Sequence, residues 1–177
     1  MNVIVEHKNE KVVGEMMDLT NSQKSIWVTE QYYRGSSVNN ICGSAIIEEK
    51  IDLKKLEKAV EIVQQKHDNF KLELKIEDGE VKQVLSEKTE KRIDTLNVAT
   101  LKELEEETQK IVKTSFNIEN SELFKFYIFK FQNGEGGFML NIHHLIADAW
   151  TLAFISNEII ETYSALKQNK EIQTKAI

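Results

Sequence analysis

Phe138, Leu140 and Ile142 alternate with Met139 and Asn141, the two-residue period of a strand. After Asp148 the period lengthens, and Leu152, Ile155, Ile159, Tyr163 and Leu166 recur at three or four residues, as on one face of a helix. His143 and His144 sit side by side where one pattern gives way to the other, with Asp148 at or just before the helix start. Taken singly, the histidines read as strand-end residues and Asp148 as an N-cap. An extended backbone sends the two imidazoles to opposite faces, so they cannot share one task. His144 continues the face of Phe138, Leu140 and Ile142, and His143 falls on the face of Asn141.

The same patterns divide the rest of the chain. Thr20 and Gln23 form a capping box that opens a helix over 20–33, with Trp27 and Tyr33 as core anchors. A loop over 34–40 and a strand over 43–48 follow. Asp52 then caps a helix whose Leu53, Leu56, Val60 and Val63 share a face. Alternation over 70–77, the turn Asp78-Gly79 and the apolar run 81–85 predict a hairpin. A strand near 93–98 leads to a second capping box, Thr100 with Glu103, opening a helix through about 115 whose acidic run is its solvated face. A strongly apolar strand over 124–132 turns back through 133–137 into the strand that ends at the histidines. Residues 1–18 read as an arm or small hairpin, 19–168 as one unit and 169–177 as a polar tail.

A length of 177 residues suits one ordinary domain with a real apolar core. The net charge of -6, with lysines and glutamates interspersed, argues against binding a nucleic-acid backbone. The single Cys42 excludes an intramolecular disulfide and a multi-cysteine metal site, which fits a reducing cytosol. No run is long and apolar enough to span a membrane, and the first residues lack the pattern of a signal peptide, so a cytoplasmic protein is expected. Metal binding at the paired histidines is not expected, because they diverge and no other ligand type falls at suitable spacing. Nothing marks Cys42 as an activated nucleophile. The glycines at 134, 136 and 137 are turn residues, because a strand rather than a helix follows them.

The order His-His-x-x-x-Asp-x-Trp over 143–150 closely resembles the His-His-x-x-x-Asp-Gly motif of nonribosomal peptide synthetase condensation domains, within the chloramphenicol-acetyltransferase-like superfamily. Two further blocks agree in the family's order. The stretch 19–27 resembles the first block, with Leu-Thr, a Gln and a Trp, and Lys66-His67-Asp68-Asn69-Phe70-Lys71 resembles the second, Arg-His-Glu-x-Leu-Arg. Phe116 and the following strand resemble the family's phenylalanine-containing turn. The resemblance covers Leu19 to about Leu166. It implies an α+β fold, a two-layer α/β sandwich forming the amino-terminal lobe, with a second lobe of similar size beyond the polar tail.

The resemblance further implies an acyltransferase that joins a carrier-bound acyl or peptidyl thioester to a carrier-bound aminoacyl thioester through an amide bond. Carrier proteins or domains are then partners, their phosphopantetheine arms hold the substrates, and no cofactor is bound directly. By match to the motif, His144 is the catalytic residue, removing the amine proton or orienting the amine. His143 and Asp148 support it, with Trp150 beside them. Ala149 stands where the family has glycine, which permits close approach and unusual φ values. Lys66, with His67 next to it, stands where an arginine helps hold the motif aspartate, so a single-point contact from Lys66 to Asp148 is expected. A related acyltransferase with an alcohol acceptor and a non-catalytic carrier-binding module remain alternatives.

Overall fold

The strand that ends at the histidines is the second of four in the main sheet. The computed structural model describes residues 16–77, 80–86, 92–118, 123–170 and 172. In chain order the elements are β1 (Met17–Asp18), α1 (Asn21–Tyr32), β2 (Asn40–Ile47), α2 (Leu53–Lys66), a 3-10 turn (Asp68–Lys71), β3 (Leu72–Glu77), β4 (Glu80–Leu85), β5 (Ile93–Leu96), α3 (Leu101–Val112), β6 (Phe124–Lys130), β7 (Gly136–His143) and α4 (Ala149–Lys167). The main sheet has the order β2-β7-β6-β5, and a smaller sheet has the order β1-β4-β3. All neighbours are antiparallel except β5 and β6. This is the expected α+β class.

Register decides which residues share a face. Ile41, Gly43 and Ala45 of β2 stand opposite Ile142, Leu140 and Phe138 of β7, which stand opposite Phe124, Phe126 and Ile128 of β6. That face packs on Leu56, Ala59, Val60 and Val63 of α2 and on Ile155, Ile159 and Tyr163 of α4. Fully burying each such side chain contributes about 1.5–3 kcal/mol. Asp52 caps α2 by accepting from the N–H groups of Lys54 and Lys55, and its own N–H donates to the Tyr163 hydroxyl at 3.0 Å, joining the start of α2 to α4.

The opposite face of β7 is covered too, which explains why every residue of that strand is buried. Leu104 of α3 packs with Phe129, Phe131 and Val98, and the Thr108 hydroxyl reaches the Met139 sulfur at 3.5 Å.

Some elements depart from their sequence pattern. Tyr33 is 59% exposed rather than a core anchor, because α1 ends at Tyr32 and the chain turns outward there. Trp27 does pack against the core. The alternation over 70–77 starts with a 3-10 turn, which sets Phe70 against Phe124 and Phe126 at ring distances of 4.7 and 5.4 Å. β2 begins earlier than its apolar run, at Asn40, whose amide donates to the carbonyls of Val112 and Thr114 at the end of α3. Residues 1–15, most of the expected arm, and Asp78-Gly79 lie outside the described residues, although Glu77 and Glu80 pair as a two-residue connection requires. Among the described residues no helix is long and apolar enough to cross a membrane.

Candidate active site

The turn over 144–147, between β7 and α4, is held from several directions. The His144 N–H donates to the Asn39 carbonyl at 2.8 Å, continuing the β2–β7 ladder by one bond. The Ile146 N–H donates to the His143 carbonyl at 3.1 Å. From α1, Gln23 Nε2 donates to the Leu145 carbonyl at 3.0 Å, while Gln23 Oε1 accepts from the Thr20 N–H in the capping box. From the 3-10 turn, Asn69 Nδ2 donates to the Ile146 carbonyl at 3.4 Å. Residues of the first and second blocks therefore converge on the backbone of the third.

The two histidines differ in their surroundings, His143 ending β7 and His144 opening the turn. His143 is 1% exposed, its ring edge-on to Phe116 at 6.2 Å between centroids. Its Nδ1 accepts from the Leu145 N–H at 3.1 Å, so Nε2 carries the proton and donates to Glu30 Oε2 at 3.2 Å. Burial pushes the His143 imidazole down from its ordinary value, against the opposing pull of Glu30, and favours the neutral ring. His144 lies one residue past the strand end, and its side chain is exposed instead of continuing the buried face of Phe138, Leu140 and Ile142.

Asp148 is the N-cap of α4, accepting at 2.8 Å from both the N–H and the hydroxyl of Thr151. These bonds hold its carboxyl below the usual carboxylate range, with a smaller contribution from His144. Ala149 is the first residue of α4 and is exposed. Asn169 is the only non-glycine with positive φ among the described residues, so position 149 needs no glycine for its backbone conformation. Trp150 is 86% exposed, and Phe154, one turn on, is 59% exposed.

Lys66 does not reach Asp148 as expected. Its ammonium pairs with one carboxylate oxygen of Glu158, and His67 Nε2 pairs with the other. The reason is geometric: α2 packs along α4, so its last residues meet the middle of α4 rather than its N-terminus. His67 also stands edge-on to Phe154 at 5.8 Å. Glu158 is held below the ordinary range because these two contacts together outweigh burial, the largest single influence, which pushes the other way.

Glu30, Asn39 and Glu158 escaped the sequence reading. A signal for Glu30 existed, since Gln23, Trp27 and Glu30 are spaced by four and three residues and so share the inward face of α1. Cys42 is half-buried, and burial pushes its thiol up to about 11. No grouping of three or more His, Cys, Asp or Glu suited to a metal ion occurs among the described residues.

Comparison with known proteins bears on the family and the fold. The family model described as the condensation domain matches residues 13–177. Surfactin synthase subunit 1 of Bacillus subtilis (strain 168) is 29% identical over 160 residues, covering 86% of this chain and 4% of that protein. A linear gramicidin synthase of Brevibacillus parabrevis is 23% identical over 161 residues, 88% of this chain and 2% of that protein. Among solved structures, the starter condensation domain of rhizomide synthetase superposes with a TM-score of 0.80 at 20% identity, covering 90% of this chain and 40% of that one. The first condensation domain of the calcium-dependent antibiotic synthetase, in complex with a substrate analogue, gives 0.82 at 14% identity, with 92% and 42% covered. The chain thus spans a few per cent of these synthetases and about two fifths of the solved domains. Because the family match runs through all three blocks and nearly the whole length, the chain belongs to the condensation domain family.

Proposed function

We propose that this chain is the amino-terminal lobe of a condensation domain and that His144 assists amide formation between two carrier-bound thioesters. The observation that carries the reading is the opposed placement of the adjacent histidines. His143 is consumed by internal hydrogen bonds, while His144 presents an exposed imidazole on a turn whose backbone is pinned on both sides. A free α-amine is mostly protonated near neutrality, and a neutral imidazole suffices to accept its proton or orient it. The amine nitrogen forms a bond to the thioester carbon as the carbon–sulfur bond breaks. The proton lost from nitrogen passes by way of His144 to the departing thiolate.

Asp148 and Thr151 set the start of α4 and with it the direction of the turn. The Ala149 methyl group lies at that start without backbone strain. Trp150 and Phe154 offer an exposed apolar strip of the kind a second lobe would cover. Carrier proteins supply both substrates on phosphopantetheine, and the chain itself binds no cofactor, metal, nucleic acid or membrane. The reaction takes place in the cytoplasm.

The test is amide formation between acyl-loaded and aminoacyl-loaded carrier proteins, followed by mass spectrometry with a complete domain carrying this lobe. His144→Ala is expected to lower the rate by on the order of 10²–10⁴-fold. An unchanged rate, or carrier binding with no product from the unaltered domain, overturns the reading.

A further inference from the structure

We propose that Glu30 is a positioning residue for His144, acting through the tautomer of His143 and the side chain of Asn39. The inference rests on the reading of His144 as the reacting group. Glu30 lies on α1, 113 residues before His143, and is 5% exposed. A carboxylate so deeply buried is tolerated only where charge-assisted hydrogen bonds replace water. Glu30 Oε2 accepts two, from Asn39 Nδ2 at 2.8 Å and from His143 Nε2 at 3.2 Å.

Each of these donors reaches the turn by a second bond. Asn39 accepts the His144 N–H on its carbonyl at 2.8 Å, and His143 accepts the Leu145 N–H on Nδ1 at 3.1 Å. One carboxylate therefore ties the peptide N–H of His144 and the peptide N–H that follows it. The two contacts on His143 are linked by proton arithmetic. A neutral imidazole has one N–H, and Glu30 holds it on Nε2, leaving Nδ1 free to accept. Without that acceptor the other tautomer becomes available, and its Nδ1–H would face the Leu145 N–H donor to donor. The turn would then lose the bond that follows His144, and the exposed imidazole would lose its fixed direction.

Glu30→Gln and Glu30→Leu separate this role from simple packing. The glutamine carbonyl still accepts from His143 Nε2–H and from Asn39, whereas leucine accepts nothing. In the uniformly ¹⁵N-labelled 177-residue chain, two-bond ¹H–¹⁵N correlation is expected to show a neutral, Nε2-protonated His143 in the native protein and in Glu30→Gln. In Glu30→Leu the His143 tautomers are expected to mix, and the His144 and Leu145 amides to exchange with solvent roughly tenfold faster or more. In the complete domain, Glu30→Leu should lower kcat about tenfold or more with KM nearly unchanged, and Glu30→Gln should restore it.

A native His143 that is protonated on Nδ1, or on both nitrogens, overturns the proposal even if Glu30→Leu does not fold. So does a Glu30→Leu protein with native tautomer and native amide protection. The spectra do not depend on the reaction. If they behave as expected while His144→Ala leaves amide formation intact, the functional reading fails and the structural tie stands. If they fail while His144→Ala abolishes product, only the role of Glu30 falls.

Discussion

Gly137 is where the main sheet tolerates least. It pairs with Ile46 across the β2–β7 ladder, and a methyl group added there would stand 1.9 Å from the Ala45 carbonyl oxygen, 3.0 Å from the Ala45 carbonyl carbon and 3.1 Å from Ile46 Cα. All three atoms are backbone, so no rotamer change relieves the clash. A carbon and a carbonyl oxygen need about 3.3 Å, so β2 would have to retreat by roughly 1.4 Å from the 1.9 Å contact. β2 is an edge strand and can move, but only by breaking about two ladder bonds, at about 1 kcal/mol net each. Adding about 1–3 kcal/mol of overpacking strain puts Gly137→Ala at about 3–5 kcal/mol. For a chain of this length that lowers Tm by on the order of 10 °C. Gly43→Ala is the control: its methyl meets the Leu152 Cδ2 atom at 2.6 Å, the end of a side chain that can rotate aside for about 1 kcal/mol. Urea and thermal unfolding of both variants check the ranking. A Gly137→Ala protein as stable as Gly43→Ala would refute the backbone-clash reasoning.

The paired histidines should separate cleanly in stability: His143→Ala is expected to cost about 2–4 kcal/mol in urea unfolding because it strands the buried Glu30, while the exposed His144→Ala moves Tm by no more than about 2 °C. Glu158 contributes acid-sensitive stability. Since its folded pKa is lowered, that contribution is complete above the unfolded value of about 4.3 and is lost as pH falls through the folded value. Tm measured from neutral to acid should therefore show Glu158→Gln below the native protein near neutrality and the two curves converging in acid; parallel curves would contradict the assignment. Cys42, with its thiol pushed up to about 11, should alkylate at neutral pH on the order of tenfold or more slower than a free cysteine of pKa about 8.5, the lost thiolate being only partly offset by its greater nucleophilicity. Intact-mass timing with iodoacetamide gives the rate.

Local order was legible because it depends on neighbours along the chain. The two-residue period over 138–142, the helical period after Asp148, and the caps at Thr20, Asp52, Thr100 and Asp148 all follow from backbone geometry within a few residues. Three motif blocks in order were enough to indicate the family that the comparisons show. Tertiary structure alone decided what the blocks touch. Lys66 meets Glu158, 92 residues away, because α2 and α4 lie side by side, and Gln23 reaches the Leu145 carbonyl across 122 residues. The spacing of Gln23, Trp27 and Glu30 marks the inward face of α1 but not what Glu30 meets there, since its hydrogen-bond partners, Asn39 and His143, lie outside α1. A hydrophobic period reports which face turns inward. It cannot report which polar group waits there, because that group is chosen by how separate elements pack.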